Sequence, residues 1–243
     1  MNPLYPGIFA ILLYVLGSGW QIQKLRVHAP ISAKRLLAVS LPAVVLHGIS
    51  ITFLFYSKQG VDLSFFTVAS LIAFTATLTV LLVSFSQPLQ TLYLFVFPLS
   101  IITLAGSLTL TDTKIWEALD GGMIAHFLVS LFAYTVLTMA AFQAILMWMK
   151  ERHIRNKEPI RLIRILPPLE LMESALFRLI GLGFALLSIS IASGFIVLEN
   201  IFEQHVVHHT VLASTSWIIY GVLLVGHYAL RWRGRTAIKW TVA

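Results

Sequence analysis

Seven long apolar stretches decide what this chain can fold into. They lie at about 6–22, 36–56, 64–83, 91–110, 123–149, 175–198 and 209–230, and each matches the roughly 20 residues a helix needs to cross about 30 Å of hydrocarbon. None contains an acidic residue, and Arg178 is the single basic one, near the start of the sixth. Only 11% of the 243 residues are charged, against about a quarter in a soluble domain. A soluble globule is excluded. The expected fold is an all-α polytopic membrane bundle with residues 1–243 forming a single transmembrane domain.

The few charges report orientation. The residues before the first stretch carry no Lys or Arg, whereas Lys24 and Arg26 follow it, so it reads as a retained helix with the N-terminus outside rather than as a cleaved signal. That choice places 15 of the 17 Lys and Arg inside and leaves Lys58 and Lys114 outside with Asp62, Asp112, Glu117, Asp120, Glu199 and Glu203. The net charge of +7 is then a topology signal, and nucleic acid is not an expected partner.

The connections are short. The longest, about 150–174, mixes basic and acidic residues and holds Pro167-Pro168, which reads as a short surface helix followed by a turn. Pro42 and Pro98 fall within spans and are expected to kink them. In the sixth span Gly181, Gly183, Ser190 and Gly194 favour close helix contact. The tail from Arg231 to Trp240 combines arginines and tryptophans as a cytoplasmic stop with an aromatic belt. Beyond it the chain turns apolar again to Ala243, as though another span were beginning.

With no cysteine present, thiolate metal sites, iron–sulfur clusters and disulfides are excluded, and the eight histidines become the ligand candidates. His28 and His153 fall in cytoplasmic loops and read as solvated. His126 lies three residues into the fifth span from the outer side, and His205, His208 and His209 lie at the outer start of the seventh. Four imidazoles thus collect at one face, where two from different helices suit the axial positions of a haem iron. The competing reading is that they hydrogen-bond to water, headgroups or a helix end. A local metal site at His205-x-x-His208-His209 ranks below haem. His47 sits near the middle of the second span, where an imidazole must face the interior with a partner. It reads as a haem ligand, a proton-relay member, or a group satisfied by a Ser or Thr hydroxyl or a carbonyl freed near Pro42. His227, beside Tyr228, reads as an interface anchor. Phosphate-binding glycine loops, nucleophile elbows and His-Glu-x-x-His are not found. Intramembrane acids of the transporter kind are missing too.

Three segments carry a family pattern. Gly122-Met-Ile-Ala-His126 through Tyr134, then Leu166-Pro-Pro-Leu169 followed by Glu173, Gly181-Leu-Gly183 and Ser193-Gly194, and finally Ser216-Trp217 through Gly226-His227-Tyr228 to Trp232-Arg-Gly-Arg235 resemble the cytochrome c assembly family. Those are haem-handling membrane proteins of the CcsA and CcmC type, and the last segment is similar to the smaller YpjD-like and HemX-like branch. The resemblance implies a helix bundle in a bacterial inner membrane that binds haem through histidines, with His126 matching the family's external histidine. It implies haem as the cofactor and a haem-handling protein or membrane complex as partner. Two departures stand out. The external loop Glu199–Val207 has no tryptophan where the family carries a tryptophan-rich one, and the family's eighth helix is missing beyond Ala243. His208 or His209 as the second ligand follows from position alone. The expected protein is an accessory in cytochrome c biogenesis that catalyses no covalent chemistry by itself. The alternative is a regulatory or scaffolding membrane protein acting on a haem-biosynthesis enzyme or another membrane complex through its loop at 150–174.

Overall fold

The computed structural model describes residues 2–27, 32–57, 60–87, 89–110, 115–116, 120–156, 166–197 and 204–230; the side chains of 57, 115, 116, 204–209 and 230 lie outside that description, as does His28. Seven helices occur in the order α1 (Leu4–Arg26), α2 (Ala33–Phe55), α3 (Phe65–Ser84), α4 (Tyr93–Thr109), α5 (Gly121–Asn156), α6 (Leu169–Val197) and α7 (Gln204–Leu230). Six are long and apolar enough to cross a membrane. The exception, α4, has 17 residues and rises about 25 Å; tightened turns at Leu92, Leu94 and Phe95 lead into it, so the apolar segment is longer than its α-helical part. Large apolar side chains such as Leu16, Leu82, Ile102 and Ile196 face outward while Ser40, His47, Ser70, Thr77 and Ser100 are buried. This inversion of the soluble pattern is what a lipid surround requires. The chain is a polytopic membrane helix bundle.

The chain divides into two compact units, Met1–Leu119 and Asp120–Ala243. In the first, α1 packs on α2 and α4, and α3 packs on α2 and α4. Aromatic rings fill its middle: Phe97 sits 5.2 Å from Tyr14 and 4.8 Å from Tyr93 between ring centroids. A small antiparallel sheet, β1 (Tyr56–Ser57), β2 (Gly60–Asp62) and β3 (Ile115–Trp116), joins the connections after α2 and α4. Gly60 permits it, since its φ of 140° suits the hairpin and is barred to residues with a Cβ. The sheet escaped the sequence reading because strands of two or three residues are too short to show alternation. Immediately after it, the buried Asp62 carboxylate accepts from Ser64 N at 2.9 Å, Ser64 Oγ at 3.1 Å and Thr67 Oγ1 at 2.9 Å, placing negative charge at the start of α3.

In the second unit α6 packs against both α5 and α7. The sequence reading ended the fifth span near 149 and expected a surface helix within 150–174. Instead α5 continues to Asn156, carrying its apolar pattern directly into basic turns, and α6 begins at Leu169, straight after the Pro167-Pro168 turn; residues 157–165 lie outside the described residues. Lys150, 8% exposed, explains how the turn is held. Its Nζ donates to Leu166 O at 3.0 Å and also to Pro167 O, two carbonyls that no helix satisfies. Pro42 and Pro98 lie inside continuous helices. Of the small residues in α6, Gly183, Ser190 and Gly194 meet α5, but Gly181 opens onto empty space. Two residues turn a helix by about 200°, so 181 and 183 cannot share a face.

Candidate functional site

The site forms where α5 starts and α6 ends. Asp120 caps α5, its Oδ2 accepting from Gly122 N at 3.0 Å, and this fixes the register that puts His126 in the second turn. Opposite, α6 presents Ser190, Ser193 and Gly194. His126 Nδ1 lies 2.9 Å from Ser193 Oγ, and a Cβ on Gly194 would stand 3.1 Å from His126 Cε1. The imidazole therefore lies against bare backbone.

The proton positions follow from the other hydroxyls. Ser193 Oγ also stands 2.9 Å from Ser190 O, to which it can donate; in that arrangement it accepts from His126, and the proton of the neutral ring sits on Nδ1. Ser130 Oγ donates to His126 O at 2.7 Å, so Ser190 Oγ donates to Ser130 Oγ, also at 2.7 Å. In that arrangement Nε2 keeps its lone pair, and the ring also lies within hydrogen-bonding reach of the Ser190 backbone. A half-buried imidazole with Nδ1–H anchored and Nε2 open is the arrangement an axial haem ligand requires, so His126 fits that group. Ser193 and Gly194 were not singled out as site residues in the sequence. Ser190 was read only as packing, while Ser193-Gly194 entered as part of the family pattern, which marked the pair without giving Ser193 its role beside His126.

The other candidates fall differently. His208 and His209, with His205, stand on the first turns of α7, and their side chains lie outside the described residues. His47, in the first unit, is fully buried with both ring nitrogens engaged: Nδ1 is 3.1 Å from the Tyr14 hydroxyl and Nε2 is 3.0 Å from Ser70 Oγ. Phe74 packs edge-on against its ring. To ligate a metal, His47 would have to release one of those hydroxyls, so it does not offer the open nitrogen that His126 does. His227 stacks on Phe177 with ring centroids 3.4 Å apart, and His153 Nδ1 bonds Met149 O at 2.6 Å. Among the described residues, no three His, Asp or Glu converge as a metal-ion site.

Comparison with known proteins adds the following. The family model described as Cytochrome C assembly protein matches residues 36–243. The chain is 28% identical over 204 residues to "Inner membrane protein YpjD" of Escherichia coli K12, covering 83% of this chain and 77% of that protein. It is 34% identical over 116 residues to an "Uncharacterized 28.8 kDa protein in nifR3-like 5'region" of Azospirillum brasilense, covering 47% of this chain and 43% of that one. No solved structure matches.

Proposed function

This chain belongs to the cytochrome c assembly protein family, and from that premise we propose that it is a multi-pass inner-membrane protein that binds and hands on haem at His126 as an accessory in cytochrome c biogenesis. One observation carries the reading: the His126 imidazole at the start of α5 is anchored at Nδ1 by Ser193 Oγ, 2.9 Å away on α6, against the bare backbone of Gly194, an anchoring that suits an imidazole presenting Nε2. An imidazole that served only to join α5 to α6 would have no need of an open nitrogen. Haem, when bound, would supply an iron that takes imidazole nitrogen; the protein's part would be to present and orient the histidines, His126 with His208 or His209, and a haem-handling protein or membrane complex would receive the cargo. The chain itself catalyses no covalent step. The N-terminus lies outside, as the placement of the basic residues supports, and His126 then faces the outer side where cytochromes c mature.

Purification in mild detergent after expression with added haem tests this. A Soret band that persists through gel filtration is expected. A colourless protein contradicts the haem reading and turns attention to the regulatory alternative.

A further inference from the structure

The first unit has a polar interior that the histidine site does not use. On each helix one set of buried polar side chains is spaced by seven, Tyr14 and Gln21 on α1, Ser40 and His47 on α2, Ser70, Thr77 and Ser84 on α3, Tyr93 and Ser100 on α4, beside others such as Ser50, Thr75, Thr79 and Thr103 that lie off this spacing. Seven residues are two turns and return within about 20° of the same face, so each helix lends one polar seam to the core. Three levels result. Ser70 bonds His47, which bonds Tyr14. The Tyr14 hydroxyl lies beside Thr77 and Ser100, themselves 2.9 Å apart. Further along, the Tyr93 hydroxyl pairs with Ser40 at 3.4 Å and has the Ser84 side chain beside it, beyond regular hydrogen-bond geometry.

At the end where α1 finishes and α2 begins, protein partners run out. Among the described residues, Gln21 Oε1 and Nε2, Ser18 Oγ, Ser84 Oγ and Gln87 Oε1 are buried with no hydrogen bond, and Gln21 is 0% exposed. A carboxamide whose donor and acceptor are both withdrawn from solvent and from protein is rare, and ordered water is the usual partner. These five atoms share one end of the unit and no such atom occurs elsewhere among the described residues. The gap is local.

We propose that the α1–α4 unit contains an internal water-filled proton path running from the Gln21 end to the imidazole of His47. Water bridges Gln21, Ser18, Ser84 and Gln87, and the hydroxyls of Tyr93, Ser100, Thr77 and Tyr14 continue the path. Each step moves a proton between oxygens, or between oxygen and nitrogen, with no change of oxidation state. His47, neutral and bonded on both sides, takes a proton from the path through Tyr14 and returns one to it at the same nitrogen, so no acceptor beyond Ser70 is required. Tyr14 is the one other titratable group against its ring, with Ser70 and Phe74 completing the surround. The proposal is independent of haem at His126.

The test is hydrogen–deuterium exchange at His47, followed by nitrogen-15 resonances of histidine-labelled full-length protein in lipid nanodiscs and assigned by difference from His47→Phe. A fully buried imidazole without a path exchanges over hours; the path predicts exchange within minutes. Gln21→Leu and Ser84→Ala should each slow it roughly tenfold or more, and Gln21→Asn should restore part of the rate. An N–H that stays protected for hours in the unaltered protein overturns the proposal whichever variants fold. Fast exchange that is unchanged in folded Gln21→Leu and Ser84→Ala overturns it as well, since protons then enter elsewhere.

Discussion

Where Ser193 sends its proton fixes the chemistry open to His126. When that proton goes to the Ser190 carbonyl, 2.9 Å away, His126 donates through Nδ1 and exposes Nε2. Ser193→Ala removes the acceptor, frees the ring to turn, and should weaken haem retention about 10–100-fold, whereas Ser193→Thr keeps the hydroxyl and most of the affinity; haem titration by absorbance separates the two. Gly194→Val should act on the same ring by contact, since even a Cβ there stands 3.1 Å from Cε1. The sequence disclosed His126 through its place in a span and the residues around it. It marked Ser193 only as part of the Ser193-Gly194 pattern and could not disclose its role, because a serine in an apolar helix is neutral until a partner from another helix is known. The same holds for His47, where a buried partner was foreseeable but Tyr14, 33 residues away, was not.

Two close contacts hold the helices at their spacing. Gly106 on α4 faces Phe66 on α3 so closely that a Cβ would meet ring carbon Cδ1 at 2.2 Å. Gly106→Ala should therefore destabilise the first unit by about 1–3 kcal/mol. Gly19→Ala, with nothing within 4 Å, should be neutral or gain up to about 1 kcal/mol; thermal unfolding in detergent compares the pair. In the second unit Lys150→Met deletes the donor that gathers Leu166 O and Pro167 O. The turn into α6 should then loosen and be cut faster by protease, with α5 itself intact. Helix existence was legible from hydropathy throughout, and boundaries were not. The end of α5 moved from about 149 to Asn156 and the start of α6 from about 175 to Leu169, because helices outlast the hydrocarbon once their polar turns find partners in Lys150 and the preceding carbonyls. The sheet joining β1, β2 and β3 depends on pairing between distant connections, which local pattern does not carry.

Across the whole molecule, the asymmetry of Lys and Arg gives an orientation that experiment can read cleanly, since the chain has no cysteine. Single cysteines at Asn2 and Arg155, both exposed, should react with a membrane-impermeant maleimide from the outside and only after permeabilisation, respectively. The opposite pattern would invert the topology and move His126 to the cytoplasmic side. The polytopic fold and the family were legible in the sequence because hydropathy, charge placement and the motifs from Gly122 to Arg235 all act locally. The surroundings of His126 were not, because its partners Ser193 and Gly194 lie on another helix. The most direct measurement is therefore a haem titration of the purified protein beside His126→Ala, with His28→Ala as control. The account predicts a saturable Soret band in the unaltered protein and in His28→Ala that is lost or weakened at least about tenfold in His126→Ala. A band of equal strength in all three, or none at saturating haem in the unaltered protein, would contradict it.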